Sequence, residues 1–349
     1  SGRYDYTRIE SVDAITPLGE PGSLSGTHRF RHFNPAVGFT FSPTGEWTWY
    51  LGVNEGTRAP SAIELGCADP ENPCKLPNAM AGDPPLDQVR TRTWETGVRG
   101  RAGEALSWNV GFFRADNRDD ILFVADDQSG FGYFRNFGQT RRQGIELGLQ
   151  GRAGPVTLSA NYTLLDASFR SAEEVGGEGN STNEEGPGFE GTIDIEEGDK
   201  IPLIPRHIFK LGVGVDLLPQ LTATADLISI GGSYARGNEN NEHEADGVYY
   251  LGSGRSGGYT VVNLGTEFRP TSQLTVFAQL NNALDRKYST GAQLGSTGFN
   301  AAGNFVARPF AGPIVDGERP LTGSTFYAAG MPRSYWLGAR YKFFGGNAN

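Results

Sequence analysis

Hydrophobic and polar residues alternate along most of the chain with a period of two. In the segment 209–217 one set of alternate positions is apolar: Phe209, Leu211, Val213, Val215 and Leu217. The positions between them carry charge or glycine: Lys210, Gly212, Gly214 and Asp216. Because successive side chains of a β-strand point to opposite faces, this pattern predicts strands with one apolar and one polar face.

The same alternation recurs often enough to predict about twelve strands and an all-β fold. The strands are expected near residues 3–10, 28–41, 46–54, 91–101, 105–117, 139–150, 156–166, 205–217, 220–234, 258–268, 273–287 and 333–344.

The connections between these strands alternate strictly between short and long. The short ones are tight turns at 42–45, 101–105, 152–155, 218–220 and 269–273. The long ones cover 55–90, 118–138, 167–204, 235–257 and 288–332. Structureless connections of this length are rare in compact soluble domains, whereas outer-membrane barrels combine short periplasmic turns with long extracellular loops. The sequence therefore predicts a transmembrane antiparallel β-barrel.

A soluble propeller or sandwich is the alternative interpretation, since both also alternate. Propellers lack the long strands and the alternating loop lengths predicted here. Aromatic residues also lie near the predicted strand ends, where a membrane barrel carries its interfacial girdles. They are Trp47, Trp49, Tyr50, Trp94, Tyr335 and Tyr341.

The composition and the first residues of the sequence bear on the partners of the protein and on whether its barrel is whole. The formal net charge of −10 argues against nucleic acid as a partner, because phosphate binding needs a basic stripe. No apolar run approaches the roughly eighteen residues of a membrane-spanning helix. There is no signal peptide and the chain opens within a predicted strand, so we expect a missing amino-terminal part. A sheet in lipid must close. Either these strands close by themselves or they belong to a larger ring.

Four segments together resemble TonB-dependent outer-membrane receptors, and the resemblance covers nearly the whole chain. The segment LNNALDRKY (280–288) is similar to the family's near-terminal motif, with Asn282, Asp285 and Tyr288 at matching positions and Leu284 where Phe is more usual. The other similar segments are 34–65, the pair 111–121 and 136–149, and the final strand 333–343. The family ends on an aromatic residue, whereas this sequence ends in FFGGNAN, so Phe343 or Phe344 is expected to take that role.

The resemblance implies a ring of about 22 strands that encloses an amino-terminal plug. Residues 1–349 would then be the carboxyl-terminal portion of the barrel, about its last twelve strands. The plug and its TonB box would lie outside this chain. The resemblance implies a monomer in the outer membrane of a Gram-negative bacterium, in contact with outer-membrane lipid and lipopolysaccharide.

The function implied is active transport, energised by the TonB–ExbB–ExbD complex through the plug. Ferric-siderophore uptake is the commonest assignment in the family, with the loops capturing the ligand and the barrel forming the conduit. The alternatives are uptake of cobalamin or an oligosaccharide, a passive porin-like barrel, and an adhesive barrel. The chain resembles no triad, P-loop or HExxH motif, so we expect no enzyme, no catalytic residue and no cofactor.

The motif at 280–288 is interpreted as strand-end geometry. Asn281, Asp285, Arg286 and Lys287 are expected at the outer rim of the barrel, with Tyr288 as an interfacial anchor. The long loop that follows would be an extracellular binding surface.

The two cysteines, Cys67 and Cys74, lie in the long connection 55–90. An extracellular loop is oxidising and the spacing closes a small ring, so we predict a disulfide. A metal site with Asp69 and Glu71 is the alternative, and it is disfavoured because no histidine lies nearby.

Ligand contacts are sought among aromatic and arginine residues of the long loops, because such residues suit anionic and aromatic ligands. The candidates are Arg58, Arg236, Tyr249, Tyr250, Phe305, Arg308 and Phe310. Packing at the rim is the alternative role for each of them. Arg58 and Arg236 are expected at strand–loop junctions that face the vestibule.

Two long loops are acidic. The segment 171–200 could bind Ca²⁺, but it lacks EF-hand spacing and is interpreted as a solvated, flexible loop. His243, in the acidic segment 236–247, is interpreted as a surface residue and not as a metal ligand.

Overall fold

In the computed structural model, the described residues are 1–16, 18, 20, 23–68, 86–125, 132–177, 179–187, 191–306 and 322–343. These residues form eighteen strands and one short helix. The elements are β1 (Gly2–Ser11), β2 (Gly26–Thr44), β3 (Trp47–Arg58), α1 (Ala62–Leu65), β4 (Val89–Ala102), β5 (Leu106–Ala125), β6 (Gly132–Ala153), β7 (Val156–Phe169), β8 (Glu173–Gly176), β9 (Thr192–Ile195), β10 (His207–Leu218), β11 (Leu221–Ile230), β12 (Ser233–Tyr234), β13 (Arg255–Ser256), β14 (Tyr259–Phe268), β15 (Leu274–Asn281), β16 (Ser289–Thr297), β17 (Thr322–Ala329) and β18 (Ser334–Tyr341).

Twelve of the strands form one antiparallel sheet in the order β1-β2-β3-β4-β5-β6-β7-β10-β11-β14-β15-β18. All twelve strands expected from the alternation are therefore confirmed. The remaining six pair two by two, as β8-β9, β12-β13 and β16-β17. Within the described residues β1 and β18 do not pair with each other. The sheet is thus a partial barrel with two edge strands.

The register places the apolar positions of neighbouring strands on one face of the sheet. Leu51 pairs with Thr96, Thr96 with Phe112, and Phe112 with Ile145. This face is open to the surroundings: Trp94 is 49%, Phe112 50% and Leu337 81% exposed. A soluble sheet would bury such side chains. Their exposure is typical of a sheet whose apolar face meets lipid.

The opposite face is polar and rich in glycine, as the alternation predicts. The end of the Tyr50 side chain on β3 lies close to two of these glycines. A Cβ atom added to Gly97 would meet the Tyr50 hydroxyl oxygen at 2.5 Å, and one added to Gly111 would meet it at 2.9 Å. At Gly97 the Val110 carbonyl oxygen, 2.4 Å from such a Cβ, also leaves no room for a side chain, whereas at Gly111 only the end of the Tyr50 side chain is close.

The long connections differ from the expected structureless loops, since three of them contain a small hairpin. Strands β5 and β6 are longer than predicted, because their pairing with each other extends as far as Ala125 and Gly132. Conversely, β11 ends at Ile230, before two glycines, and β15 ends at Asn281, before a residue with positive φ. The predicted strands 220–234 and 273–287 were therefore too long.

Buried apolar residues gather where the long connections leave the sheet. The larger cluster packs the β8-β9 hairpin against the ends of β6 and β7; its members are Phe137, Ala167, Phe169, Val175, Ile193, Ile195 and Ile201. The second packs the segment around α1 against β4 and β5; its members are Leu65, Ala68, Leu86, Val89 and Ile121. The interpretation of 171–200 as a solvated loop is therefore wrong for its described part, because Val175, Ile193 and Ile195 are buried.

Helices contribute little to this fold. Helix α1 has four residues, and the described parts of the chain contain no helix that is long and apolar enough to cross a membrane.

Candidate functional site

Three long connections meet at one end of the sheet and form a single unit. We call the described residues of 170–206, 231–258 and 282–333 the loop body. The first and middle connections join through asparagine side chains. Asn180 Nδ2 donates to the Gly237 carbonyl at 2.9 Å, and Lys200 N donates to Asn241 Oδ1 at 2.6 Å. These bonds fix the first connection to the middle one.

The middle and last connections join through backbone groups. Arg236 N donates to the Ala292 carbonyl at 3.0 Å, and Leu294 N donates to the Arg236 carbonyl at 2.8 Å. Gly323 N donates to the Tyr249 carbonyl at 2.6 Å. The middle connection is therefore held from both sides, and the loop body is a folded structure above the barrel wall.

The interior of the loop body is polar, and Glu239 is its most unusual member. Asn180, Asn238, Glu239 and Asn240 are all buried. Glu239 Oε1 accepts a hydrogen bond from Gly237 N at 3.0 Å, while Oε2 has no hydrogen-bond partner among the described residues. Burial raises the pKa of the Glu239 carboxyl above its ordinary value, against the lowering effect of hydrogen bonds and of Arg236.

His243 is also buried, so its interpretation as a surface residue is wrong. Its Nδ1 accepts a hydrogen bond from Ser181 N at 3.0 Å, and its Nε2 lies 3.0 Å from the Gly252 carbonyl oxygen. Burial lowers the pKa of His243, which favours the neutral ring. A neutral ring with Nδ1 as acceptor and Nε2–H as donor satisfies both contacts.

Tyr250, a predicted ligand contact, lies inside the loop body. It is 4% exposed, and its ring meets His243 edge to face with centroids 5.6 Å apart. Burial raises its pKa to about 12, with a further contribution from Asp246. Its neighbour Tyr249 is only half-buried. Of the two tyrosines, Tyr249 is the one open to a ligand without rearrangement of the loops.

Arg236 links the loop body to the sheet. Its guanidinium carbon lies 5.1 Å from the centroid of the Phe123 ring near the end of β5. Burial lowers the Arg236 pKa and the nearby Glu239 opposes that shift. A half-buried guanidinium above an aromatic ring remains a strong anion-binding group.

The other predicted contacts do not join this group. Arg58 at the end of β3 pairs with Glu64 Oε2 at 2.7 Å, and Glu64 is part of the capping box of α1. Phe305 is exposed and stacks edge to face on Phe299 at 5.9 Å. Arg308 and Phe310 lie outside the described residues. Arg236, Tyr249 and Tyr250 all lie in the middle connection, and the roles of all seven residues stay predictions.

Cys67 follows α1 and is fully buried. Its carbonyl accepts a hydrogen bond from Phe134 N at 2.6 Å, which ties the segment to β6. Cys74, Asp69 and Glu71 lie outside the described residues. The disulfide between Cys67 and Cys74 therefore stays a prediction. Within the described residues no group of three or more histidine, cysteine or acidic side chains could hold a metal ion.

The motif at 280–288 forms a capped turn after β15. Asn282 is buried with φ of 47°, and its side chain accepts from Arg286 N at 2.8 Å. Its Nδ2 donates to the carbonyls of Arg286 at 2.9 Å and Met331 at 3.1 Å. Asp285 also has positive φ, of 52°. Asn and Asp tolerate this conformation better than other non-glycine residues, which explains both positions.

Two aromatic residues of the predicted family motif are packed in different ways. The Tyr288 ring lies 4.4 Å from that of Tyr259 and covers Gly330, where an added Cβ would come within 2.3 Å of it. Phe343 follows β18 and is exposed, with its ring 5.1 Å from Tyr341. These contacts are consistent with the structural role expected of the motif.

Sequence reasoning missed a polar network on the glycine-rich face below the loops. Asp120 Oδ2 accepts hydrogen bonds from Thr140 at 2.6 Å, Arg142 at 2.9 Å and Asn117 at 3.3 Å. It also missed the asparagine contacts of the loop body. The available signal was the clustering of asparagine in "GNST" (179–182) and "GNENNE" (237–242), since such residues favour side-chain to backbone bonds in loops.

A wide antiparallel sheet with an exposed apolar face, a polar opposite face and folded loops at one end defines the wall of a membrane-spanning β-barrel. The chain belongs to the TonB-dependent receptor family: the family model "TonB dependent receptor-like, beta-barrel" matches residues 1–283. Members of this family are outer-membrane proteins of Gram-negative bacteria, carry out TonB-coupled transport and are not enzymes.

Solved structures share the fold at low sequence identity. The closed form of the ferric-catecholate import receptor Fiu of E. coli K12 is 16% identical, with a TM-score of 0.58 over 95% of this chain and 38% of that one. The ferric yersiniabactin uptake receptor FyuA of Yersinia pestis is 16% identical, with a TM-score of 0.58 over 94% and 40%. The copper transporter OprC is 15% identical, with a TM-score of 0.63 over 98% and 44%. This chain spans about two fifths of their length.

Proposed function

We propose that residues 1–349 are the carboxyl-terminal part of the barrel of an outer-membrane transport receptor, and that the loop body captures the solute. The observation that carries this proposal is the junction of three long connections into one folded unit at one end of a sheet whose apolar face is exposed. A porin-like channel needs no such folded cover. A receptor needs a surface whose side chains are held in place before the ligand arrives.

The proposed ligand is a ferric siderophore. Such complexes are often anionic, and the loop body offers Arg236 and Tyr249 for charge pairing and stacking. Fiu and FyuA, which share the fold, are receptors for iron complexes. OprC transports copper on the same fold, so ligand identity rests on the loop residues and not on the barrel. Cobalamin and oligosaccharides are the competing solutes.

The proposed partners follow from the family. A plug outside this chain would fill the polar interior of the completed barrel and would connect it to TonB, ExbB and ExbD. The apolar face would contact outer-membrane lipid and lipopolysaccharide, and the receptor would act as a monomer. On this proposal the chain supplies the wall and the capture surface.

The test is tryptophan quenching on the full-length refolded receptor, titrated with ferric catecholate, ferric hydroxamate, cobalamin and copper. We expect sub-micromolar quenching by one siderophore class. Replacing Tyr249 with Ala or Arg236 with Gln should weaken it by about tenfold, because each change removes a contact of about 1–2 kcal/mol. The matched control is Tyr335→Ala on the apolar face. No response to either siderophore, with a response to cobalamin or copper, would overturn the siderophore assignment.

A further inference from the structure

A cluster of arginines lies on the membrane-facing side of strands β3 to β6, between the apolar part of that face and the long connections. Its five cations are Arg90, Arg92, Arg114, Arg118 and Arg141, and its two carboxylates are Glu55 and Asp116. We call these seven residues the arginine patch. The strand register makes them cross-strand neighbours. Arg92 on β4 lies opposite Glu55 on β3 and Asp116 on β5, and Arg118 on β5 lies opposite Arg90 on β4.

The patch continues the apolar face toward the long connections. Arg92 lies two residues beyond Trp94 on β4, and Arg114 lies two residues beyond Phe112 on β5. Residues two apart in a strand share a face and are separated by about 7 Å. Trp94 was expected near a strand end and lies instead inside β4, at the upper boundary of the apolar band. The patch therefore begins where the apolar band stops.

The opposite face of the same strands has its own polar network, which separates the patch from the barrel interior. Thr91 on β4 bonds to Asn117 on β5 at 2.8 Å, and Asn117 bonds to Thr140 on β6 at 3.2 Å. These residues alternate with those of the patch along each strand. The patch is thus on the outer side of the wall, and the Asp120 network is on the inner side.

The two carboxylates organise the arginines without neutralising them. Asp116 accepts from Arg114 Nε at 2.8 Å and from Arg141 Nε at 2.6 Å. Within the described residues neither guanidinium has a second partner, so their terminal nitrogens remain available as donors. Arg90 and Arg118 make no ion pair with any described residue. Five cations against two carboxylates leave a local excess of positive charge on a chain whose net charge is −10.

This excess of charge has no explanation in the folding of the sheet. Glu55 and Asp116 account for Arg92, Arg114 and Arg141 as ion pairs, whereas Arg90 and Arg118 lie opposite each other with no ion pair to a described residue. The remaining cations repel one another beside a low-dielectric band, which is unfavourable unless an anion binds there. The side chains border a shallow cavity of about 420 Å³.

We propose that the arginine patch binds the phosphate groups of a phosphorylated lipid of the outer leaflet, an inference that rests on the proposed contact of the apolar face with outer-membrane lipid. Guanidinium groups bind phosphate oxygens in a bidentate manner, and arginine clusters at a membrane surface attract anionic headgroups. The acyl chains would lie along Trp94, Phe112 and Leu51. A lipid fits the site better than a soluble anion because the charge and the exposed apolar surface are continuous.

The experiment uses the full-length receptor in detergent and measures lipid binding by native mass spectrometry. The probes are bis-phosphorylated lipid A, dephosphorylated lipid A and inorganic phosphate. The patch variant carries Arg92→Gln, Arg114→Gln and Arg118→Gln. The matched control carries Arg99→Gln, Arg101→Gln and Arg152→Gln at the short-turn end of the wall. We expect the patch variant to lose at least about tenfold in lipid A affinity and the control to lose none.

Dephosphorylated lipid A should bind the wild type and the patch variant equally weakly. Equal lipid A affinity for wild type and patch variant would overturn the proposal, and so would an equal loss in the control. Inorganic phosphate that binds as tightly as lipid A would identify a free anion as the ligand and would overturn the lipid assignment. If the triple variant does not fold, Arg114→Lys and Arg118→Gln are compared singly, since lysine keeps the charge but not the bidentate geometry.

Discussion

Asn282 gives the sharpest prediction about the fold. Its buried side chain makes three hydrogen bonds, with Arg286 N, the Arg286 carbonyl and the Met331 carbonyl, and its backbone has φ of 47°. Each hydrogen bond contributes about 0.5–1.5 kcal/mol, and alanine in the left-handed region costs about 1–2 kcal/mol. Asn282→Ala should therefore destabilise the barrel by about 3–5 kcal/mol.

Two further variants separate the two causes. Asn282→Gly also loses the three hydrogen bonds but tolerates positive φ, so it should be about 1 kcal/mol more stable than Asn282→Ala. The control is Asn281→Ala, since Asn281 makes one side-chain hydrogen bond, to Ser334 Oγ at 3.3 Å. That variant should lose less than about 1.5 kcal/mol.

The assay is guanidinium unfolding of the full-length protein refolded into lipid vesicles, with the slopes of all variants compared. A loss below about 1 kcal/mol for Asn282→Ala would refute the reasoning, because three buried hydrogen bonds cannot cost so little. An Asn282→Gly variant less stable than Asn282→Ala would show that the backbone conformation plays no part.

Three other predictions concern the loops. Because burial raises the Glu239 pKa, the loop body should be most stable below the ordinary carboxyl value of 4.5 and should lose that contribution as pH rises through the folded pKa; hydrogen exchange at 236–243 should show this loss in the wild type and not in Glu239→Gln, and an equal response in both would contradict it. Burial lowers the pKa of His243, so its contribution to stability increases as the pH rises, opposite to that of Glu239. The readout is therefore the difference between the wild type and Glu239→Gln, and not the pH profile of the wild type alone. Tyr250→Ala should reduce exchange protection at 249–254 and 322–325 while Tyr250→Phe leaves it unchanged, because the ring packs in the loop body; unchanged protection in Tyr250→Ala would refute that role. The Cys67–Cys74 disulfide should appear as an intact cross-linked peptide in non-reducing mass spectrometry, and its reduction should speed proteolysis between residues 55 and 90 by removing a constraint of about 2–3 kcal/mol; alkylation of both cysteines without reductant would contradict it.

The wall of the barrel could be predicted from the sequence because its physics is local. A strand that faces lipid on one side and a polar interior on the other must alternate, and the segment around Phe209 does so over its whole length. Tight turns such as 152–155 then fix the order of the strands. The extension of β5 and β6 beyond the membrane carries no alternation signal, since both faces of these ends pack against loops.

The loop body could not be predicted in the same way. Strands β8 and β9 have four residues each, and β12 and β13 have two, which is too short for any period to be visible. The burial of His243 depends on contact with Ser181, which lies 62 residues earlier in the chain, and Glu239 is buried in the same loop body. Their local surroundings are acidic and polar, so the sequence suggested a solvated surface. A hydrogen bond from a distant part of the chain instead holds His243 in the interior of the loop body.

The most direct test of the central claim is the topology of the full-length receptor in intact cells, measured with a membrane-impermeant maleimide on single introduced cysteines. Val248→Cys is exposed in the loop body, Leu147→Cys lies on the apolar face, and Glu104→Cys lies in a short turn. The predicted result is labelling of Val248→Cys in intact cells, of Glu104→Cys only after the outer membrane is permeabilised, and of Leu147→Cys in neither case. Labelling of Glu104→Cys or Leu147→Cys in intact cells would contradict a membrane-spanning wall with its loop body outside.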